Sequence, residues 1–200
     1  METTLKGMKK KVVIGPGRPT VILGERINPT GKKKLAADLV AGNLDMVHKE
    51  AVEQIEAGAD ILDVNVGAAS VDEVEMLPRA VQLVLETVDV PVTIDTADEK
   101  ALAAALAMHK EVNPDGKCLV NSVNGEEASL KRVLPLVAEY GTAVIGLCMD
   151  DDGIPETPEA RLAVAKKIVE RAAELGIPRE DILIDCLALT VGADHKSGWV

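Results

Sequence analysis

Pro91-Val-Thr-Ile-Asp95-Thr96 is a short β-branched run that stops on a carboxylate. Five more segments repeat the plan. Thr20–Ile27 leads to Arg26 and Asn28, Asp60–Val66 carries Asp63 and Asn65, and Cys118–Val123 carries Asn121 and leads to Asn124. Ala143–Met149 ends at Asp150, and Ile182–Leu187 carries Asp185. Runs this rich in Val, Ile and Leu suit strands buried on both faces, as in parallel sheets. Parallel strands share one C-terminal edge, so the polar ends converge there.

The segments between the runs read as helices. They cover Lys33–Ala41, Leu44–Ala57, Val71–Val88, Asp98–Glu111, Glu126–Tyr140 and Thr157–Leu175. Met46, Val47, Ala51 and Ile55 have helical spacing, with Gly58 just past the end. Ser70 or Asp72 can cap the third helix, Gly141 closes the fifth, and Pro158 stands in the first turn of the sixth. Lys11–Ile14 with Gly15-Pro-Gly17 reads as an extended piece and turn, a lid over the bottom of a barrel.

Strict β-then-α alternation means an α/β fold with a parallel sheet. An open doubly wound sheet concentrates its site at one switch point. Here every run ends in a polar residue, which favours a (β/α)8 TIM-type barrel with its site at the C-terminal strand ends. Such a barrel takes about 250 residues, and only Ala188–Val200 follow the sixth run. The expectation is one domain over residues 1–200, with a barrel core at about 20–195, six βα units and a missing C-terminal part. Apolar strand edges would then stay open unless a partner covers them.

Composition narrows the function. With 47% hydrophobic residues and no apolar run near the roughly 18 residues of a membrane span, no membrane association is expected. A formal net charge of −11 argues against nucleic-acid binding, since no basic face exists to displace counterions. Cys118, Cys148 and Cys186 lie in apolar runs at wide spacing, which suits reduced, buried thiols in the cytoplasm. No Phe, one Tyr and one Trp leave the core to Val, Leu, Ile and Ala.

In order, the strand ends read Gly24-Glu-Arg-Ile-Asn28 with Pro-Thr-Gly31, then Asp63-Val-Asn65-Val-Gly67, then Asp95-Thr96. Asn121-Ser-Val-Asn124-Gly-Glu126, Met149-Asp150-Asp-Asp-Gly153 and Ile182-Leu-Ile-Asp185 complete the set. This series resembles the pterin-binding (β/α)8 barrel family. The branch it is most similar to is the methyltetrahydrofolate:corrinoid protein methyltransferases, including the folate module of cobalamin-dependent methionine synthase. More distant is dihydropteroate synthase, whose first strand usually ends in Asn-Val-Thr-Pro-Asp-Ser-Phe and whose second ends in Gly-Gly-Glu-Ser-Thr-Arg. Neither pattern is present here.

The resemblance implies that Asp95, Asn121 and Asp185 bind the pterin, whose aminopyrimidinone edge offers donors beside an acceptor. A fixed carboxylate facing two donors makes a strong paired contact. Asn28, Asn65 and Asp63 join them as substrate-binding candidates. The plainer alternatives are helix caps for the Asp residues and an internal network with Arg26 for Asp63 and Asn65. Glu25-Arg26 reads as an ion pair, and Asn124 as a cap for the helix after it.

The implied reaction moves the N5-methyl of methyltetrahydrofolate to a Co(I) cobalamin or other corrinoid on a partner protein, or the reverse. An amine leaves poorly, so N5 must gain a proton or hydrogen bond as its bond to carbon breaks. The family's Asn near N5 would follow a seventh strand beyond Val200, so no catalytic residue is assigned. A homodimer is expected as well.

Other features read more plainly. Cys148, Cys186 and His195 make a poor metal set beside the reading of structural thiols, and no metal is assigned. His48 and His109 read as surface positions. Lys32–Lys34 is a solvated charge run able to meet a polyglutamate tail or acidic partner. Gly15-Pro-Gly17 lacks the Lys and Ser/Thr of a phosphate loop.

Overall fold

A computed structural model, which describes residues 1–188, opens with an antiparallel pair, β1 (Thr3–Lys6) and β2 (Lys11–Ile14). The pair sits at the N-terminal ends of the main strands. Lys10 N–H donates to the Asp89 carbonyl at 3.0 Å, and Lys6 and Lys117 exchange backbone bonds at 3.0 and 2.9 Å. The expected bottom lid is thus a hairpin. Its first strand escaped sequence reading because the polar, basic stretch around Thr3–Lys6 has no apolar run to mark it.

Six strands follow: β3 (Leu23–Ile27), β4 (Ile61–Val64), β5 (Val92–Asp95), β6 (Leu119–Asn124), β7 (Ala143–Leu147) and β8 (Ile182–Asp185). They are hydrogen-bonded in sequence order, with β3–β4, β4–β5, β5–β6 and β7–β8 pairing in parallel. Helices alternate with them: α1 (Lys33–Val40) and α2 (Asp45–Glu56) after β3, then α3 (Glu73–Thr87), α4 (Glu99–Val112), α5 (Glu127–Tyr140) and α6 (Pro158–Glu174). Strands in chain order, with helix after each of β3 to β7, make a partial TIM-type barrel.

The chain divides into two compact units, Met1–Asn121 and the part from Ser122 onward, and β6 runs through the division. In the first unit β4 is buried along its whole length. Its registers are Asp63 with Thr93 and Val64 with Ile94, while β5 and β6 pair Thr93 with Leu119 and Asp95 with Asn121. Alternation puts Asp63, Thr93 and Leu119 level on one face, with Asp95 and Asn121 two residues nearer the C-terminal ends.

Three of the helices, α3, α4 and α6, start where short polar side chains accept free backbone N–H groups. Asp72 accepts from Val74 and Glu75, Asp98 from Lys100 and Ala101, and Thr157 from Ala160. The α4 stripe of Ala101, Leu102, Ala105 and Leu106 continues one step to His109, which is only 4% exposed. His109 is therefore a core residue rather than a surface one, and burial pushes its imidazole down to about 4. His48 is exposed as expected.

In the second unit, α6 buries Val164, Ile168 and Ala172 on one face and leaves Leu162 exposed on another. Ile184 of β8 is exposed too. No helix among the described residues is long and apolar enough to cross a membrane.

Candidate functional site

The strand ends of the first unit hold a cluster of two acids and two amides. Asp63 on β4 is 1% exposed, and its Oδ1 accepts from Asn121 Nδ2 of β6 at 3.3 Å. Burial pushes the Asp63 carboxyl up to about 8, and the nearby Asp95 and Glu25 charges push the same way. The Asn121 bond opposes them without prevailing. At neutral pH Asp63 therefore holds its proton. With Oδ1 occupied as an acceptor, that proton belongs on Oδ2.

Asp95, half-buried at the end of β5, accepts from Asn65 Nδ2 through Oδ2 at 2.8 Å. Its pKa is also raised, first by burial and then by Glu25 and Glu73, with the Asn65 bond working against the rise. Asn65 uses its other end as well, since Oδ1 accepts the Gly67 N–H at 2.8 Å. Thr96 is tied in beside Asp95: its hydroxyl donates to Glu73 Oε2 at 2.6 Å and accepts the Asp98 N–H at 3.1 Å. Glu73 was not singled out from sequence because a Glu in the first turn of a helix has an ordinary electrostatic role there.

Asp63 and Asn65 do not network with Arg26. The register between β3 and β4 slips between Gly24 and Ile27, an extra residue that marks a β-bulge. Gln54 of α2 takes up the loosened backbone, its Oε1 accepting the Arg26 N–H at 2.8 Å. Gly24 leaves room for it, since a Cβ there would fall 2.6 Å from Gln54 Oε1. Arg26 pairs with buried Glu50 at 3.1 Å rather than with Glu25, its side chain still 63% exposed. The bulge and the Glu50 on α2 override the sequence-neighbour pair.

Asn28 makes a local turn, its Oδ1 accepting the Thr30 N–H at 2.9 Å. Lys32 donates through Nζ to the Arg26 carbonyl, so one member of the lysine run is engaged with the β3 end.

The second unit carries Asp185 at the end of β8. It is exposed, and its Oδ1 accepts the Leu187 N–H at 2.7 Å. Asn124 Oδ1 accepts the Glu126 N–H at 3.0 Å, a turn leading into α5. Asp150 Oδ1 accepts the Asp152 N–H at 3.1 Å. Cys118 and Cys148 are buried, but Cys186 is exposed just past β8, the edge strand of the sheet, so the expectation of three buried thiols fails there. His195 lies outside the described residues. A cavity of about 490 Å³ borders α6, walled in part by Cys148, Leu162, Ala165, Val169, Ile184 and Cys186. Arg161, Lys166, Glu170 and Arg179 also line it, and none of the acids or amides of the strand-end cluster does.

A family of pterin-binding enzymes matches residues 24–199 of this sequence. The chain belongs to that family. A methionine synthase from Mycobacterium leprae (strain TN) is 29% identical over 186 residues, covering 90% of this chain but 15% of the relative. A methylcorrinoid:tetrahydrofolate methyltransferase from Eubacterium limosum is 31% identical over 182 residues, 88% of this chain and 64% of the relative. This chain thus spans less than two thirds of either relative.

Among solved structures, a Yersinia pestis dihydropteroate synthase with a pterine–sulfa conjugate overlays with a TM-score of 0.63 at 20% identity, covering 92% of this chain and 64% of that one. The 7,8-dihydropteroate synthase of Vibrio fischeri ES114 gives 0.64 at 18% identity, with 92% and 66% covered. At those identities the likeness concerns the fold. It agrees with the partial barrel, and this chain spans about two thirds of the length of these neighbours.

Proposed function

We propose that the protein carrying this chain binds methyltetrahydrofolate and exchanges its N5-methyl group with a corrinoid held on a partner protein. The observation that carries the reading is the Asp95 carboxylate at the β5 end. One oxygen is fixed by Asn65, while the other, Oδ1, accepts no hydrogen bond among the described residues. A pterin edge offers the paired N–H donors that such an acceptor needs. Asp63, Asn121 and Asn65 surround the same strand ends of the first unit, and Asp185 at the β8 end of the second is proposed as a further substrate-binding residue.

Each group has a task that follows from its surroundings. Asp95 orients the pterin by charge-assisted hydrogen bonding. Asp63, neutral at pH 7, is able to donate a hydrogen bond as well as accept the one from Asn121. Asn28 lies next to the β3 bulge with its Nδ2 available for a ligand, since the turn uses only its Oδ1. A Co(I) corrinoid, when bound, supplies the electron pair that forms the new bond to the methyl carbon. The electron pair of the broken carbon–nitrogen bond stays on N5, which takes up a proton as tetrahydrofolate is released. The names of the two relatives support this branch over dihydropteroate synthesis, as does the absence of that synthase's strand-end patterns.

Calorimetry with methyltetrahydrofolate tests the binding half. Replacing Asp95 by Ala should weaken affinity by roughly 10- to 100-fold, the worth of a charged hydrogen-bonded contact. Unchanged affinity would remove the proposed pterin contact. Methyl transfer, followed by the absorbance change of a Co(I) corrinoid, tests the chemistry. Dihydropteroate formed from a pterin diphosphate and 4-aminobenzoate, with no methyl transfer, would instead establish the synthase reading.

A further inference from the structure

Asn65 stands at a β4 end beside the proposed ligand acceptor, and the sequence offers it as a residue that touches substrate. Its surroundings give it a different task. The side-chain amide is held at both ends: Oδ1 accepts the Gly67 N–H at 2.8 Å, and Nδ2 donates to Asp95 Oδ2 at 2.8 Å. The first bond settles the second. A backbone N–H can be met only by the amide oxygen, so the nitrogen must be the end that faces Asp95.

Space around the amide is restricted as well. A Cβ at residue 67 would lie 3.2 Å from Asn65 Oδ1 and 3.3 Å from Glu73 Oε1. Glycine there lets the backbone N–H come close enough to lock the amide. Glu73 in turn accepts the Thr96 hydroxyl at 2.6 Å, fixing the chain directly after Asp95.

We propose that Asn65 is a positioning residue: it commits Asp95 Oδ2 to the protein and leaves Oδ1 as the oxygen presented to the ligand. An unrestrained carboxylate rotates about its last bond and must be ordered by the ligand, at a cost in binding. Asn65 removes that freedom before binding. Gly67 acts through Asn65, so the Asp63-Val-Asn65-Val-Gly67 segment is a device for aiming Asp95 from the neighbouring strand. This rests on the pterin reading only for the nature of the ligand, since the aiming itself is a property of the free protein.

The test has one readout without ligand and one with it. The first follows the carboxyl carbon of Asp95 by NMR against pH in the free protein. The Asn65 bond favours the charged carboxylate, so Asn65→Ala should move the Asp95 midpoint upward. An unmoved midpoint would overturn the proposal.

The second readout is methyltetrahydrofolate affinity across the same pH range. A positioning role predicts that the variant's binding curve shifts upward with the Asp95 midpoint and recovers to within a few-fold at high pH. A uniform loss at every pH far beyond the few-fold cost of ordering one carboxylate would mean that Asn65 touches the ligand itself, which also overturns the proposal. If Asn65→Ala fails to fold, Gly67→Ala carries both measurements. Its new methyl crowds Asn65 Oδ1, and the shift should have the same sign and be smaller. A moved Asp95 midpoint in a protein that binds no folate would leave the positioning role standing and retire the pterin reading.

Discussion

The two units hold their strand ends by opposite means. In the first, carboxylates are held by amides: Asn121 on Asp63 and Asn65 on Asp95. No Lys or Arg pairs with either acid among the described residues. In the second, a buried cation holds main-chain oxygens. Arg161 of α6, 6% exposed, donates from Nε to the Pro155 carbonyl at 2.9 Å and from Nη1 to the Cys186 and Leu187 carbonyls at 2.7 and 3.3 Å. The second arrangement gives polar backbone its missing partners at a chain turn. The first buries two acids together without a counter-ion, one of them protonated at neutral pH, which lowers stability unless something else requires them. Uncompensated acids in a cluster are the pattern of a site prepared for a ligand rich in donors.

The largest test of that contrast is pH. The Asp63 carboxyl has a folded value of about 8 against 3.8 for the free group, so the folded state binds more protons than the unfolded chain between those limits. The Asp63 contribution to stability therefore falls as pH rises from about 4 to about 8 and levels off above, while buried His109, lowered to about 4, contributes with the opposite sign at the acid end of that window. A shift of this size corresponds to about 6 kcal/mol at most. Asp63→Asn keeps the shape and loses the titration. His109 and Asp95 titrate in both proteins, so the difference between them isolates Asp63: urea unfolding at several pH values should show the parent losing stability relative to the variant across that window, and the variant should be the more stable at pH 9. Parallel curves for the two proteins would mean that Asp63 is charged throughout, and the contrast between the units would lose its basis.

Arg161 comes next. Arg161→Met retains much of the aliphatic bulk but strands three carbonyl oxygens at the end of the second unit. Leaving buried acceptors without donors costs about 1–3 kcal/mol each, less where water reaches them. A total near 3 kcal/mol is expected as a lower urea midpoint with little change in folate affinity, if the arginine is structural as the contrast requires. A variant of parental stability with lost folate affinity would invert the assignment and make Arg161 part of the site.

Most of the fold was legible because strand and helix signals here are local. β4 needed only Ile61 and Leu62 before its polar residues, and Asp72, Asp98 and Thr157 announced three helix starts. The polar strand ends were legible as a set for the same reason. What stayed hidden depends on neighbours far along the chain. Arg26 reads as a partner of Glu25 until a bulge and a buried Glu50 from α2 appear beside it. His109 reads as a surface residue until the α4 stripe is seen to bury one more turn. The role of Asn65 depends on a hydrogen bond across 30 positions. Strand alternation gives its face but not its partner.

The smallest effect sharpens the contrast from the exposed side. Glu127 at the start of α5 meets Arg171 at 2.8 Å and Lys167 at 3.2 Å, so the second unit contains compensated acids as well as a buried cation. The Arg171 hydrogen bond, and after it the Lys167 bond, holds Glu127 below the ordinary glutamate value. The sign is opposite to that of Asp63: this contribution is present at neutral pH and is lost as acid protonates Glu127 below the usual glutamate range. Exposure and counter-ions screen it, so it should be slight and should fade further in high salt. Glu127→Gln should therefore leave the urea midpoint at pH 7 and high salt nearly unchanged. A large loss there would show that surface pairing, and not Arg161 with its carbonyls, holds the second unit together.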